Sequence, residues 1–434
     1  MLDASHRLKE KLKERIEASA DRRIAFSEFM ALSLFDSECG YYTTREGKIG
    51  SKSSSSDFGT YPEKAPAVFG AGLARQYHEM WIALGRPAVL QLIEMGAGRG
   101  TMALSTLARI RQKFPDLYQA VRYVIVEIST ELRSLQRKTL EEFTHEGKMD
   151  WIEGSGIDLP DPAGLLEKDS PRIFVSNELP DAFPVDRLRW SATDRSYAMA
   201  YVTITPAGKL AEVFGPLPDA EPYSSYIDAV QKLNARHQEV LEGGWEVPVN
   251  VGALLWMRRL SERLQRGYVL TIDYGYRHGS FSHDAKAVRV YAVAKPMFFY
   301  GLKITNRRLL AVLKEWRWDV GRRISQLRPY SWQRRLAVRL NVFRRLRDDV
   351  DYMYARPGEV DITSDIDFDL LAQEGMKSGL RLEGIMTQPD FFERLGMSGK
   401  ALRLVDNPAF LVMIQSKGVE AELFRTDVWK QFTS

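Results

Sequence analysis

The feature that most constrains this chain is an alternation running from residue 88 to 180. "AVLQLIEM", "RYVIVEIS" and "RIFVSNE" are short continuous apolar runs, while "TMALSTLARIRQKF" and "ELRSLQRKTLEEF" between them carry apolar residues at helical spacing. A strand that is apolar on both faces must be covered on both, and strands that alternate with helices pair in parallel through crossovers. The segment therefore predicts an α/β fold built on a doubly wound sheet. A further apolar run, "GYVLTIDYG" at 267–275, follows a helix at 253–265, and "LRLEGIMTQ" and "AFLVMIQSKG" are expected to pair as an antiparallel hairpin closing the same sheet.

Around this core the chain divides by composition. Residues 1–85 form a helical preface, with "RLKEKLKERIEA" charged and amphipathic and Ser27 a candidate N-cap for "EFMALSLF". The preface is broken at 40–62 by a Gly- and Ser-rich loop that is expected to order itself only with help from a ligand on the cofactor side. The core spans 86–276 and carries an added hairpin at 195–215, expected beside the main sheet as a substrate-side decoration. Residues 277–357 form a basic insert in which Trp316, Trp318 and Trp332 are interleaved with arginines, and 358–434 complete the core sheet.

Several classes of protein fall away. No window approaches the roughly 20 apolar residues of a membrane-spanning helix. The net charge of +4 is too small to argue for nucleic acid, so that case rests only on the insert, whose basic face is also compatible with an acidic protein, a membrane surface or simple solvation. Cys39 is the single cysteine and the six histidines show no metal-ligand spacing, so neither a disulfide nor a metal site is expected. The N-terminus has neither the apolar core of a secretory signal nor the acid-free composition of a transit peptide. A cytoplasmic protein is the expectation, with a mitochondrial location disfavoured by the lack of a transit peptide.

The chemistry begins at "LIEMGAGRGTM", residues 92–102, where a strand breaks into Gly96, Gly98 and Gly100 and a helix follows. Glycines in that place permit a tight turn and the close approach of a ligand to the backbone. A dinucleotide fingerprint would put a glycine where Thr101 stands, and a phosphate loop would require Gly-Lys-Ser or Gly-Lys-Thr. Glu94 would repel a pyrophosphate and suits a cation. Glu127 ends the next strand, where an acid in this topology accepts hydrogen bonds from both ribose hydroxyls. A nucleoside that lacks phosphates and carries an amino acid group matches both acids, which points to S-adenosylmethionine and a class I methyltransferase-like sheet. The competing reading is a close helix–strand turn with Glu127 as a helix cap.

Taken in order, "SSDFGTYPEKAPAVFG", "LIEMGAGRGTM", "VIVEIS", "NELPDAFPV", "IDYG" and "PGEVDITSDIDF" resemble the MidA-like methyltransferases, whose mitochondrial members are arginine methyltransferases assisting complex I assembly. The resemblance runs from about residue 25 to 415. It implies that Glu94, Gly96, Gly98, Gly100 and Glu127 hold S-adenosylmethionine. The chain departs from the family pattern at Ser56-Asp57-Phe58, at Tyr61-Pro62-Glu63 and at "NELPDAFP", where Pro180 alters a loop. Those departures bear on the substrate. "PGEVDITSDIDF" is marked as a family feature without assigned chemistry, and among Asp361, Thr363 and Asp365 an N-cap for the following helix is the plainer reading.

Methyl transfer from a sulfonium is an in-line displacement, so positioning matters more than covalent catalysis. Asn177 and Glu178 follow a core strand and should face the methyl group, and Glu178 and Asp181 are the acids expected to pair with a guanidinium if the acceptor is arginine. Thr60, in the loop with Asp57 and Glu63, is expected at the methionine end, and Asp158, after the third strand, at the adenine amino group. The leading expectation is methylation of arginine in a protein acceptor. The alternatives are a methyltransferase acting on a small molecule and a non-enzymatic scaffold whose basic insert docks an acidic partner; the oligomeric state is left open.

Overall fold

Strands whose every residue is buried lie at the centre of a covered sheet, and Leu90–Met95 and Arg172–Asn177 are of this kind. The computed structural model describes residues 4–43, 60–157, 170–191, 196–218, 223, 246–277, 290–293, 353–420 and 423. In chain order the strands are β1 (Arg23–Ala25), β2 (Leu90–Met95), β3 (Val121–Glu127), β4 (Met149–Glu153), β5 (Arg172–Asn177), β6 (Asp186–Ser191), β7 (Ser196–Ile204), β8 (Leu210–Pro216) and β9 (Glu246–Val249). They continue with β10 (Gly267–Tyr276), β11 (Val290–Val293), β12 (Asp361–Ser364), β13 (Ile366–Asp367), β14 (Arg381–Thr387) and β15 (Phe410–Lys417).

The main sheet has the order β4-β3-β2-β5-β10-β15-β14, and only β15 runs against the rest. The short β13 adds to the end of β10. Alternate residues of each central strand serve opposite faces. Leu90 and Leu92 join one core with Phe69, Leu73 and Tyr77 of helix Pro66–Ala83 and Leu107 of helix Thr101–Lys113. Ile93 and Met95 join the other, with Trp256 and Leu260 of helix Val251–Arg263 and Leu371 of helix Phe368–Lys377. Helix Gln388–Arg394 connects β14 to β15 and buries Phe391 and Phe392 in the first core.

The hairpin β7–β8 is formed, but it belongs to a second sheet of order β1-β7-β6-β9, with β8 also paired to β7. Both faces of β7 are buried, Met199 in one cluster and Ala200 and Val202 in another, and a strand covered on both sides needs neighbours and cover of its own. The cover on one face is the N-terminal helix Ala4–Ala18, whose Leu8, Leu12 and Ile16 recur every fourth residue and pack with Ile24, Phe29 and Val202. Ser27 does not cap the next helix. That helix starts at Phe26, and the Ser27 amide instead donates to Asp186 Oδ1 at 3.0 Å, so an acid on β6 satisfies one of the unpaired amides of its first turn.

Of the basic segment at 277–357, only 277, 290–293 and 353–357 are described, and Trp316, Trp318 and Trp332 lie outside the described residues. Its two flanks meet, because β11 and β12 pair antiparallel with Val293 opposite Asp361. No described helix is long and apolar enough to cross a membrane.

Candidate active site

The chain passes from β2 to β3 on one side of the sheet and later to β5 on the other, so strand order reverses at the β2/β5 boundary. In open α/β sheets that crevice, at the carboxyl ends of the strands, is where ligands bind. Here it opens into a cavity of about 340 Å³, within the range of roughly 300–1,000 Å³ typical of small-molecule sites.

The glycine turn forms its floor. Gly96, Gly98 and Gly100 have φ of 68°, 55° and 82°, a left-handed conformation that only glycine adopts without strain. At Gly96 the absent side chain also matters, since a Cβ would stand 2.8 Å from Leu179 Cδ1. The turn is tied down at both ends: the Gly96 amide donates to Val126 O at 3.0 Å, and Gln136 Nε2 donates to Gly98 O at 2.8 Å.

Two acids flank it. Glu127 accepts the Ser129 amide on Oε1 at 3.0 Å and Gln136 Nε2 on Oε2 at 3.2 Å. The helix cap here is Ser129, whose hydroxyl accepts the Leu132 amide, so Glu127 remains directed at the cavity. Glu94 accepts the Tyr123 hydroxyl on Oε2 at 2.6 Å. Burial pushes the Glu94 carboxyl up to about 7, with Glu127 adding repulsion, and pushes Glu127 up to about 6. The residues fit S-adenosylmethionine on the chemistry of these donors and acceptors. Glu127 lines the cavity and, beside the Ile128 and Ser129 amides and Gln136 Nε2, keeps acceptor capacity for a hydroxyl donor, and Glu94 is a buried carboxylate that a neighbouring cation would stabilise.

Thr60 lines the cavity just ahead of the turn Tyr61–Lys64, and the Thr101 hydroxyl donates to Glu63 in the same turn. Asp57 and Asp158 lie outside the described residues. Asp36, Glu38 and Cys39 sit close enough to suggest a cation site, but Lys11 Nζ already bridges Asp36 and Glu38 at 3.1 and 2.9 Å.

The far end of the cavity is acidic. β5 delivers Asn177 to the carboxyl edge, and Glu178 follows with φ 50°, an uncommon conformation for a residue with a side chain. Glu178 Oε1 accepts Asn177 Nδ2 at 3.0 Å and the Tyr61 amide at 3.2 Å. Pro180 opens the short 3-10 turn Pro180–Ala182, which buries Asp181. Tyr274, from the end of β10, donates its hydroxyl to Asp181 Oδ2 at 2.6 Å, and the Asp181 amide donates to Asp273 Oδ2 at 3.2 Å.

Glu178, Asp181 and Asp273 thus crowd together. Burial, and for Glu178 the adjacent Asp181, raises Glu178 to about 7; burial raises Asp181 to about 6. Asp273, fully buried and facing both, is held well above the ordinary carboxyl range. Two buried acceptors at this end, Asn177 Oδ1 and Asp181 Oδ1, have no hydrogen-bond partner among the described residues. The cavity wall is completed by Tyr42, Asp361 and Thr363.

The structure thus brings Glu94, Gly96, Gly98, Glu127, Thr60, Asn177, Glu178 and Asp181 around one cavity. Gly100 stands just behind it as the first residue ahead of helix Thr101–Lys113. Sequence reasoning missed Tyr123 and Gln136, which hold the two cofactor-side acids, and Asp273, Tyr274 and Tyr42 at the acidic end. The signals available for Asp273 and Tyr274 were their place at the carboxyl end of a core strand and the "IDYG" segment that carries them, to which no role was assigned.

The strand order and the glycine turn are those of a class I methyltransferase-like fold. Residues 72–297, just over half of the chain, match the family model for S-adenosyl-L-methionine-dependent methyltransferases designated Methyltransf_28, and the chain belongs to that family. S-adenosylmethionine is the methyl donor that the family's description names. The mouse protein arginine methyltransferase NDUFAF7, mitochondrial, is 28% identical over 267 residues, 58% of this chain and 57% of that protein. The human protein of the same name is 28% identical over 269 residues, 58% of this chain and 56% of that one. The chain therefore spans little more than half the length of these relatives. A crystal structure from Burkholderia thailandensis, of a superfamily member described as a methyl transferase bound to S-adenosyl-homocysteine, shares the fold at a TM-score of 0.68 and 21% identity, covering 97% of this chain and 95% of that one.

These relatives correct one expectation. A cytoplasmic protein was read from the absence of a transit-peptide pattern, whereas the named relatives from mouse, rat, human and fly are all mitochondrial proteins.

Proposed function

We propose that the enzyme transfers the methyl group to a side-chain nitrogen of arginine in a protein acceptor. The observation that carries this reading is the acidic end of the cavity, where Asn177 Oδ1 and Asp181 Oδ1 are buried acceptors with no donor among the described residues and Glu178 lies alongside. Such a surface calls for a group that only donates hydrogen bonds and carries positive charge, and a guanidinium has five N–H donors and no acceptor. The relatives named as protein arginine methyltransferases support the same acceptor.

When bound, S-adenosylmethionine supplies an activated methyl group on sulfur. The work left to the protein is orientation and proton management. Asn177 Oδ1, Glu178 and Asp181 fix the guanidinium with one nitrogen toward the donor methyl. As the C–N bond forms and the C–S bond breaks, that nitrogen gives up one proton, and Asp181 Oδ1 is the acceptor placed to receive it. With its carboxyl raised to about 6, Asp181 is a better base than an ordinary aspartate and still ionised at neutral pH.

The test pairs wild type with Asp181→Asn, a change that keeps the shape and removes the basic oxygen. Wild type should yield methylarginine in acceptor protein, detected by mass spectrometry. The variant should lose activity by about a hundredfold or more while binding S-adenosylmethionine with unchanged affinity. Methylation by wild type of lysine or of small molecules alone would remove the arginine reading.

A further inference from the structure

Two segments that carry the family resemblance, "PGEVDITSDIDF" and "IDYG", stand outside the proposed transfer step. The first supplies β12, which packs against the turn that carries Asp181, and the cap of the helix Phe368–Lys377. That cap is Asp367, whose Oδ1 accepts the Leu370 amide at 3.0 Å, rather than Asp361, Thr363 or Asp365. The second segment lies near the end of β10. Its Gly275 lets β13 approach, since a Cβ would stand 2.1 Å from Ile366 O. Its Asp273 and Tyr274 both reach the turn Pro180–Ala182.

They hold Asp181 by different parts. Asp273 Oδ2 accepts the Asp181 amide at 3.2 Å, and the Tyr274 hydroxyl donates to Asp181 Oδ2 at 2.6 Å. The other Asp273 oxygen accepts the Tyr274 amide at 2.8 Å, so one carboxyl ties the two backbones together. One residue earlier on the strand, Ile272 O accepts the Glu178 amide at 2.9 Å, and Asn250 Nδ2 donates to Pro180 O at 2.9 Å. The turn is thus fixed at several points. Asp273 itself is fully buried, whereas Asp181 and Tyr274 line the cavity.

Burying an acid beside two others is costly, and the charges that act on Asp273 most strongly, those of Asp181 and Glu178, are both negative. The hydrogen bonds it makes explain the residue type. A carboxyl offers one acceptor oxygen to each of two amides, whereas an asparagine has a single acceptor oxygen and would turn its NH2 toward the second amide. We propose that Asp273 is a positioning residue of the methyl transfer, which fixes the backbone of Asp181 while Tyr274 fixes its carboxylate, leaving Asp181 Oδ1 for the acceptor. This inference rests on the reading of Asp181 as the base. A misplacement of about 1 Å near a reacting group costs on the order of a hundredfold in rate, so a base on a short turn depends on what anchors the turn. The Tyr274 hydrogen bond also favours the ionised form of Asp181, against the influence of Glu178 and Asp273. The remaining titratable groups bordering this end are Tyr42 and Asp361, which are hydrogen-bonded to each other.

The experiment is a double-mutant cycle on the full chain, read as kcat and KM for methylation of an arginine-containing peptide, with S-adenosyl-homocysteine binding followed by calorimetry. Asp273→Asn should lower kcat by about tenfold or more and leave S-adenosyl-homocysteine affinity unchanged. In an Asp181→Asn background the same substitution should cost less than about twofold, because a residue that acts through Asp181 then has nothing left to act on. Tyr274→Phe keeps the backbone tie and should move the acid limb of the kcat/KM profile to higher pH, whereas damage to packing alone would lower the rate without moving the limb. Wild-type kcat in Asp273→Asn, losses that multiply in full in the double variant, or an unmoved limb in Tyr274→Phe would each overturn this inference and leave Asp181 as the base. If wild type methylates no arginine peptide, or Asp181→Asn keeps its activity, the reading of Asp181 falls and takes this one with it.

Discussion

Glu94 makes cofactor binding dependent on pH in a way that can be worked out in advance. Its carboxyl is buried, hydrogen-bonded only by Tyr123 among the contacts described for it, and raised to about 7. A bound cation favours the ionised form, so binding below that value must expel a proton. For a single group of this kind the apparent Kd is multiplied by one plus the ratio of protonated to ionised carboxyl, which is about 1.1 at pH 8, about 2 at pH 7 and about 11 at pH 6. Glu127, raised to about 6, contributes a further factor of about two at pH 6. S-adenosylmethionine should therefore bind roughly twentyfold more weakly at pH 6 than at pH 8, and release about half a proton from Glu94 at pH 7. Calorimetry in buffers of different ionisation enthalpy reads both quantities. Glu94→Gln should weaken binding at pH 8 by about tenfold and leave only the twofold change due to Glu127. A wild-type Kd that stays level between pH 6 and 8, or a variant that keeps the full slope, would refute the assignment of a cation to Glu94.

Tyr123→Phe removes the hydrogen bond that favours the ionised carboxylate, so the midpoint of the pH profile should move above 7 and binding at pH 7 should weaken, again by calorimetry. Gly98→Val should abolish cofactor binding in a folded protein, because a β-branched residue cannot hold φ near 55°; tight binding by a variant with native circular dichroism would count against the turn as the cofactor floor. Without ligand, the carboxyls of Glu94, Glu127, Glu178 and Asp181 bind protons more tightly folded than unfolded, so their contribution to stability is greatest below their ordinary values and is lost as pH rises through 6 to 7. The unfolding temperature should fall from pH 5.5 to pH 8 in the free protein, and S-adenosylmethionine should raise it more at pH 8; a Tm of the free protein that climbs over this window would contradict the burial of these acids.

The sheet was legible where burial on both faces leaves a continuous apolar run, as in β2, β3, β5 and β10. The cofactor end was legible because its parts sit at fixed offsets from those strands: three glycines directly after β2 and an acid at the end of β3. The second sheet was not. β1 is three residues long, too short to show a period, and its pairing of Arg23 with Thr203 spans most of the preface and core. The acceptor end was half legible for the same reason. Asn177, Glu178 and Asp181 follow a recognisable strand, but Tyr42, Asp273, Tyr274 and Asp361 meet only through tertiary packing, and no local pattern says that a tyrosine at 42 donates to an aspartate at 361. The capping rules applied to Ser27 and to Asp361, Thr363 and Asp365 missed the caps themselves, since an acid on β6 satisfies the first helix and Asp367 satisfies the second.

The pairing of β11 with β12 has an architectural consequence. Val293 and Asp361 are register partners, so the long stretch of chain between them is closed at its base by one antiparallel ladder. The entropy of closing such a segment grows only with the logarithm of its length. A change in the length of that stretch therefore adds little closure entropy to the ladder, while the strand on its return side keeps Asp361 at the cavity wall.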